Sequence, residues 1–382
     1  MKNKINITCI LVDRANYGRL KPVLQLINKD SCFDLKIICT GSMLLERYGN
    51  TSKVVKNDGL KIFDEVYIEL EGSNPTTMAK TIGLAIFELT NAINRTTPDF
   101  VIVIGDRSEA LGAAIATVYQ NYCLIHIQGG EITGSIDESA RHAITKLAHY
   151  HFPSTDNAAK NIIRMGEHPS RVFNFGCPSA DVVDASNDDF KSYSLDLGVG
   201  KLIDWDNPFL LVLFHPVTSE FEDAETQMNE LLYSIKEIDI QTVIIWPNID
   251  AGSDGVSQSI RKFREENIGF NLHAYKNFEP EIYIPLLKRT ACAIGNSSSF
   301  IRDASFIGTP VVLVGTRQDG REISDAVIRV NPLKSEITKA AKYQIEHGHY
   351  SPSQIYGKKG SSQLIVNKIK QLVKFHQKKF DS

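Results

Sequence analysis

The chain has 382 residues, enough for two hydrophobic cores of ordinary domain size. A formal net charge of −3 excludes a strongly basic surface, so we expect neither nucleic acid nor a membrane as a partner. The cysteines are scattered without a CxxC pair, and no apolar run approaches the roughly 18 residues of a membrane span. These features favour a cytoplasmic protein with buried, reduced thiols.

Apolar runs alternate with amphipathic segments through the first half of the chain. Strands are predicted at 5–12, 35–39, within 60–70, and at 100–104, 123–127 and 172–178, and helices at 20–27, 75–94 and 110–119. Ser135 and Glu138 have the spacing of a capping box, so another helix is predicted to begin there. This alternation indicates βα units around a sheet.

Charged side chains follow several of these strands. They are Arg14 and Arg19 after the first strand, Asp106 and Arg107 after the strand at 100–104, and Glu131, Asp137, Arg141 and His142 after the strand at 123–127. In an open α/β sheet the carboxyl ends of the strands border the ligand crevice. The acids are therefore candidates for acid–base chemistry and the arginines for binding an anion, with helix capping as the structural alternative for the acids.

A polar segment at 181–207 separates the two halves of the sequence. It contains an acidic cluster at Asp188 and Asp189 and glycines at 198 and 200, so we interpret it as a linker. The strand–helix alternation restarts after it.

The second half repeats the pattern of the first. Strands are predicted at 209–214, 242–246, 271–275, 292–294 and 311–314, and helices at 300–307 and, at the C-terminus, at about 363–380. We therefore predict an α/β protein with two doubly wound, Rossmann-like domains facing each other across a cleft. The predicted bounds are 1–180 and 208–362, followed by the C-terminal helix within 363–382.

The turn 295–299 has the sequence Gly-Asn-Ser-Ser-Ser before a predicted helix. Small residues, hydroxyls and backbone N–H groups at a helix N-terminus can hold a phosphate, although the GK[ST] sequence of a Walker loop is not present. Arg317 and Arg321 follow the next strand and could reach the same anion. A plain serine-rich turn is the alternative.

Taken together, these motifs resemble the hydrolysing UDP-N-acetylglucosamine 2-epimerases, a family similar in fold to the GT-B glycosyltransferases. The resemblance is carried by Arg14-Ala15-x-Tyr17-Gly18-x-Leu20-Lys21-Pro22, Gly105-Asp106-Arg107, Gly129-Gly130-Glu131, 137–147 with its Asp-Glu-Ser-x-Arg-His core, Phe214-His215-Pro216-Val217-Thr218, Gly295-Asn296-Ser297-Ser298 and Gly315-Thr316-Arg317-Gln318. Each motif is weak alone, but they occur in family order across nearly the whole chain.

The resemblance implies that UDP-N-acetylglucosamine and water are converted to UDP and N-acetylmannosamine, by loss of UDP to give 2-acetamidoglucal and then hydration. It implies catalytic roles for Asp106 and Asp137, with Glu131 as a further acid, and a place beside the diphosphate for His215. The other residues expected to bind the substrate are Arg14, Arg19, Arg107, Arg141, His142, Asn248, Asn296, Ser297, Ser298, Asp303 (on the ribose), Arg317 and Arg321. It also suggests a homodimer, and the chemistry requires no metal or organic cofactor. The triplet at 204–206 matches the DxD pattern of metal-dependent sugar-nucleotide enzymes, but three residues in a loop are weak evidence, and we do not expect it to bind a metal.

Gln128 departs from the family pattern, because relatives often have a catalytic carboxylate there and a glutamine cannot exchange protons. Either Glu131 takes this role or the substrate differs. Asp13, Asn16 and Phe300 are further departures, and they concern sugar recognition more than the type of reaction.

Alternative functions remain open at this point. A close variant would act on a UDP-2,4-diacetamido-2,4,6-trideoxy sugar of the legionaminic acid route. A GT-B glycosyltransferase would need an acceptor groove, against which the crowded acids at 129–138 argue. A sugar-nucleotide sensor without turnover is the third possibility.

Overall fold

The computed structural model describes residues 4–72, 74–185, 198–374 and 377–379. Its strands are β1 (Ile5–Leu11), β2 (Phe33–Thr40), β3 (Ile62–Val66), β4 (Phe100–Ile104), β5 (Cys123–Ile127), β6 (Tyr150–Phe152), β7 (Val199–Gly200), β8 (Leu210–Leu213), β9 (Thr242–Ile245), β10 (Leu272–Tyr275), β11 (Cys292–Gly295), β12 (Val311–Val314) and β13 (Val327–Val330).

The α-helices flank these strands. They are α1 (Arg14–Lys29), α2 (Ser52–Asn57), α3 (Pro75–Thr96), α4 (Ser108–Tyr119), α5 (Asp137–Leu147), α6 (Asp156–Arg164), α7 (Ser179–Ala185), α8 (Ala224–Ile238), α9 (Ser253–Glu266), α10 (Pro280–Arg289), α11 (Ser299–Ile307), α12 (Lys334–His347) and α13 (Ser361–Ile369). None of the helices in the described ranges has both the length and the apolar character needed to cross a membrane.

Two sheets form, and both have the strand order of a doubly wound fold. The first is β3-β2-β1-β4-β5-β6, entirely parallel, and the second is β13-β12-β11-β8-β9-β10-β7, parallel except for β7 at its edge. In each sheet the order reverses beside the first central strand, between β1 and β4 and between β8 and β11. The predicted fold class is therefore confirmed, and ligand crevices are expected at these two reversals.

The central strands are buried on both faces, as their continuous apolar sequences require. Every residue of β4 and of β5 is buried. The first sheet has one core cluster under α1 and α13 and another under α3 and α4. The second sheet is likewise covered by α8, α9 and α12 on one face and by α10 and α11 on the other.

The capping box predicted at Ser135 and Glu138 was wrong. Helix α5 begins at Asp137, and Ser135 Oγ donates to the Asp137 carboxylate at 3.0 Å. Glu138 instead accepts a hydrogen bond from the Thr133 backbone N–H at 2.6 Å. A carboxylate that ties down the preceding loop cannot also cap the helix, so the two residues fix the loop that carries Glu131.

The strand predicted at 172–178 was also wrong. This segment makes one isolated bridge, between Val172 and His151, and its aromatic residues pack on Phe152. On its outer side β5 pairs with the short strand β6, which was not predicted because three residues give no periodicity.

The segment interpreted as a linker contains two elements, α7 and the edge strand β7. The acidic cluster at Asp188 and Asp189 lies outside the described residues. The C-terminal helix is shorter than predicted: α13 ends at Ile369, and it packs on α1 in the core of the first sheet.

The chain passes between the two halves near Gly176 and again near Gly357, and these two segments lie side by side. Gly176 packs so closely on Gly357 that a Cβ atom at Gly176 would lie 2.7 Å from the Gly357 Cα. Nearby, Asp181 on α7 accepts hydrogen bonds from the backbone N–H groups of Gly360 at 2.6 Å and Ser362 at 2.8 Å. Asp181 therefore satisfies the start of α13, where backbone donors have no partner within the helix.

We predict that Asp181→Ala lowers the free energy of unfolding by about 1–2 kcal/mol, the usual cost of losing an N-cap. Asp184→Ala is the matched control, because it removes a neighbouring carboxylate whose partner is the exposed Lys359 and should cost less than about 1 kcal/mol. Denaturant unfolding measures both. Equal losses would contradict the capping role.

Candidate active site

A cleft opens where the carboxyl ends of the two sheets face each other. The predicted site residues that line it are Arg14, Arg19, Asp106, Arg107, His215, Asn248, Ser297, Ser298, Asp303 and Arg317. They follow β1, β4, β8, β9, β11 and β12, so the cleft uses the chain reversals of both sheets, as expected for a doubly wound fold.

The serine-rich turn forms the floor of the cleft on the side of the second sheet. Gly295 has φ +147°, and a Cβ atom there would lie 2.1 Å from the Leu213 carbonyl oxygen, so this position requires glycine. Helix α11 begins immediately after Ser298, whose side chain does not cap it, although Ser297 Oγ accepts a long hydrogen bond from the Ser299 N–H at 3.4 Å. The start of α11 is therefore open to an anion, with the hydroxyls of Ser297 and Ser298 in the cleft lining.

His215 lies buried beside this turn and is held by Asn296. The Asn296 amide donates to the His215 carbonyl at 2.7 Å and accepts from the His215 N–H at 2.7 Å. The Asn248 N–H donates to His215 Nδ1 at 3.1 Å, which leaves Nε2 to carry the ring proton. Burial, aided by Arg317 and Arg14, lowers the pKa of His215 well below its usual range. His215 is therefore a neutral hydrogen-bond donor and not a proton source.

Arginines from both halves meet across the cleft. Arg14 donates to the carbonyls of Lys276 at 2.9 Å and Trp246 at 3.2 Å, both in the second half of the chain. Arg19 donates to Ser298 Oγ at 2.7 Å and to Gln128 Oε1 at 3.2 Å. The cleft thus concentrates fixed positive charge around the open end of α11, which suits a diphosphate.

A second group of charges joins Arg107, Arg317 and two aspartates. Arg107 binds Asp250 and, at 2.8 Å, Glu109. Arg317 lies 3.8 Å from Asp250 and 3.6 Å from Asp137. Because Arg317 contacts both the cleft and Asp137, it links the anion-binding region to the acids.

The acids occupy distinct electrostatic environments. Burial favours the neutral form of Asp106, but the guanidinium groups of Arg141 and Arg321 outweigh it and hold the pKa of Asp106 well below its usual range. Burial together with Asp106 and Asp250 raises the pKa of Asp137 to about 6, since the more distant Arg317 offsets these effects in part. One carboxyl group is thus ionised in the unliganded protein and a second can exchange a proton near neutral pH.

Of the three acids only Asp106 lines the cleft, and neither Asp137 nor Glu131 is among the lining residues. The Glu131 carboxylate binds Arg302 and lies 3.3 Å from Arg321. Although burial favours protonation, these arginines lower the pKa of Glu131. Glu131 is therefore ionised and tightly held in the unliganded protein.

Gln128 does not contact the cleft. Its side chain is fully buried, and its amide Nε2 donates to Cys177 Sγ at 2.9 Å while Oε1 accepts from Arg19. The placement of Gln128 favours a role in orienting Arg19.

The structure places several predicted binding residues away from the cleft. Asn296 supports His215, as described above. Arg141 is fully buried against Asp106 and the Glu131 carbonyl, and His142 lies beside Glu138, 3.6 Å away. Arg321 was expected beside the same anion as Arg317, but it binds Glu131 instead because the turn between them directs the two side chains to different partners.

Three residues of the site were not predicted from the sequence. Asp250 neutralises Arg107, Arg302 neutralises Glu131, and Tyr283 lines the cleft. The sequence could have indicated Arg302, because a cation in the first turn of a helix interacts unfavourably with the helix dipole and therefore suggests a further role for the side chain. Asp250 and Tyr283 gave no such signal.

Within the described ranges, no group of three or more His, Cys, Asp or Glu side chains is placed to hold a metal ion. The DxD residues 204–206 lie in a turn before β8 and are not part of the cleft lining.

Over most of its length the chain is similar to known members of the family that its motifs resemble. The sequence pattern of the UDP-N-acetylglucosamine 2-epimerase family matches residues 25–370. The UDP-N,N'-diacetylbacillosamine 2-epimerase (hydrolyzing) of Legionella pneumophila is 31% identical over 94% of this chain and 93% of its own. A UDP-N-acetylglucosamine 2-epimerase of Neisseria meningitidis is 30% identical over 90% of this chain and 88% of its own.

The fold agrees with this relationship. The crystal structure of UDP-GlcNAc 2-epimerase from Neisseria meningitidis bound to UDP-GlcNAc superposes with a TM-score of 0.78, covering 96% of this chain and 100% of that one at 18% identity. This likeness shows the two-domain architecture, and the sequence match shows the family. The chain belongs to the UDP-N-acetylglucosamine 2-epimerase family.

Proposed function

We propose that the protein is a hydrolysing UDP-N-acetylglucosamine 2-epimerase that converts UDP-N-acetylglucosamine and water to UDP and N-acetylmannosamine. The observation that carries the proposal is the placement of Asp137, with a pKa raised to about 6, near the ionised Asp106 and 3.6 Å from Arg317 of the cleft. The family and the names of the relatives support it. The site thus offers carboxyl groups of different acidity next to a cation-rich cleft, as proton transfer coupled to loss of a diphosphate requires.

In this proposal the diphosphate binds at the start of α11. Ser297 and Ser298 supply hydroxyl donors there, and Arg14, Arg19 and Arg317 supply charge. The neutral His215 donates from Nε2. Asp303 is assigned to the ribose, because its buried Oδ1 has no hydrogen-bond partner among the described residues and can accept a hydrogen bond from a ribose hydroxyl group.

The first step breaks the C1–O bond to UDP and removes the proton at C2. That proton is weakly acidic because no carbonyl group is attached to C2, so departure of the diphosphate must run ahead of proton loss. Fixed cations stabilise the charge that develops on the leaving group. Among the three acids Asp137 has the highest pKa, so its carboxylate is the strongest base and takes the C2 proton.

The second step adds water across C1 and C2 of the glucal. The hydroxyl group goes to C1, and a proton goes to C2 on the face opposite to the one that lost it. Asp106 and Glu131 are the remaining carboxyl groups. Arginines keep both ionised in the unliganded protein, so the acid for this step must first take up a proton from solvent, and the proton lost by the attacking water returns to solvent.

A second candidate substrate is a UDP-2,4-diacetamido-2,4,6-trideoxy sugar. The activity for which the Legionella relative is named favours it, and the identity to that relative is close to the identity to the Neisseria relative. The chemistry at C1 and C2 is the same for both sugars, so the acids and arginines cannot distinguish them. The difference lies in contacts to the substituents at C4 and C6.

We further propose that the enzyme is a cytoplasmic homodimer that works without a metal or organic cofactor. Elimination and hydration involve no net redox change, and the arginines supply the charge that a metal would otherwise provide.

Incubation with each UDP-sugar, with free UDP followed over time and the product identified by NMR, tests the proposal. We expect UDP and a 2-epimerised acetamido sugar from one of the two substrates. If neither nucleotide sugar releases UDP, both candidates fail. Release that depends on an added acceptor would indicate a glycosyltransferase instead.

We predict that Asp137→Asn reduces sugar release by about 10²–10⁴-fold, the usual contribution of a general acid or base. UDP affinity should change little, because the carboxyl group acts on the sugar and not on the nucleotide. Turnover and UDP titration measure the two effects. Glu138→Gln is the neighbouring control and should retain most activity; equal loss of turnover and UDP affinity in Asp137→Asn would indicate a structural role.

The pH dependence follows from the same group. A base with its pKa raised to about 6 is protonated and inactive below that pH, so kcat/KM should rise as pH increases through about 6. Asp106, whose pKa is depressed, stays ionised across this range. Rate measurements between pH 5 and 8 check this rise in kcat/KM, and the rise should be absent from the residual activity of Asp137→Asn. A kcat/KM that falls through this range would exclude Asp137 as the base.

We predict that Arg317→Ala weakens UDP binding by about 1.5–3 kcal/mol, the range for a hydrogen bond to a charged group. Calorimetric titration with UDP measures the change. Arg264→Ala, at the end of α9 and outside the cleft lining, is the control and should bind UDP normally. Unchanged affinity in Arg317→Ala would remove this residue from the diphosphate site.

A further inference from the structure

A second cavity opens along the seam between the two halves, and it shares no lining residue with the substrate cleft. Its walls come from Gly130, Glu131 and Ile132 of the first half, from α6, and from 320–322 and Tyr356 of the second half. The empty volume is about 710 Å³ with the solvent at its mouth included, which is ample for a small ion. We call this space the seam cavity.

Arg321 lines the seam cavity with part of its guanidinium group unsatisfied. The residue is 5% exposed, and its Nη2 lies 3.3 Å from the Glu131 carboxylate. Its Nε and Nη1 are buried and have no hydrogen-bond partner among the described residues. Buried donors without partners are costly, and in a native protein such groups commonly mark a bound water or ion.

The charges around the seam cavity leave positive charge in excess. Lys160 and Arg164 are exposed on α6, and neither forms an ion pair within the described chain. Of the two acids in the lining, Glu131 binds Arg302 and lies 3.3 Å from Arg321, and Glu322 accepts hydrogen bonds from the neutral side chains of Thr155 and Asn157. Three cations and two carboxylates therefore line the cavity, which leaves one positive charge in excess, and Arg321 keeps two buried donors without partners among the described residues.

We propose that the seam cavity is a binding site for a small oxyanion, a phosphate or a carboxylate, held by Arg321 from within and by Lys160 and Arg164 at the mouth. The anion would satisfy the unpaired Arg321 donors and would bridge the two halves of the chain. Because Arg321 also lies near Glu131 and Asp106, occupancy would draw its charge away from these acids. The proposal concerns binding and does not require the function proposed above.

Calorimetric titration with inorganic phosphate, in a buffer of non-coordinating zwitterion, tests the site. The protein is first saturated with UDP so that phosphate cannot occupy the cleft, and the titration is repeated without UDP. We expect saturable binding in both cases and an affinity about tenfold weaker or more in the double variant Lys160→Ala/Arg164→Ala. Both residues are exposed, so the variant should fold, and an unchanged thermal unfolding curve verifies this.

The control is the double variant Lys61→Ala/Lys339→Ala, which removes the same charge from exposed positions outside the cavity. It should bind phosphate like the unaltered protein. Absence of saturable phosphate binding, or equal weakening in the two double variants, would overturn the proposal. Acetate is the second probe, and tighter binding of one anion than the other identifies the preferred oxyanion. A protein that fails to bind UDP but binds phosphate in this way would refute the nucleotide-sugar function and leave the seam site standing.

Discussion

The structure depends on buried carboxylates that are neutralised by arginines from the opposite half of the chain. Arg302 reaches Glu131 from α11, and Arg107 reaches Asp250 from the first sheet. A buried charge without its partner is strongly destabilising, so each pair favours one arrangement of the two sheets. That arrangement places the carboxyl ends of both sheets around one cleft. The pairing that joins the halves therefore also builds the site.

The same pairing divides the acids by role. Asp106 and Glu131 each contact at least one arginine closely, and their pKa values fall despite burial. Asp137 faces a more distant arginine together with two other carboxylates, and its pKa rises. Proton transfer near neutral pH requires such an asymmetry, because groups with equal, depressed pKa values are poor acids and weak bases. The chemistry proposed for this enzyme follows from unequal distances to arginine.

Much of the fold was predictable from the sequence. The apolar runs of β4, β5, β8 and β12 are long enough to signal buried parallel strands, and the polar residues after them follow the general rule for crevices. The strand β6 was not predicted because three residues carry no periodicity, and β13 was not predicted because Arg329 interrupts its apolar run. Long-range partners were missed as well. Asp250 and Arg302 act through residues more than a hundred positions away, which spacing cannot reveal, and the different partners of Arg317 and Arg321 depend on the conformation of one turn.

In the proposed mechanism, carboxyl groups exchange a proton at C2 of the sugar while the cations of the cleft stabilise the departing UDP. Turnover of the UDP-sugar in deuterium oxide, followed by NMR of the released sugar, tests it most directly. We expect one deuterium at C2 of every product molecule, with inverted configuration at that carbon and release of one UDP. Release of UDP with the original hydrogen retained at C2 would contradict the mechanism, because simple hydrolysis of the glycosidic bond would then explain the products.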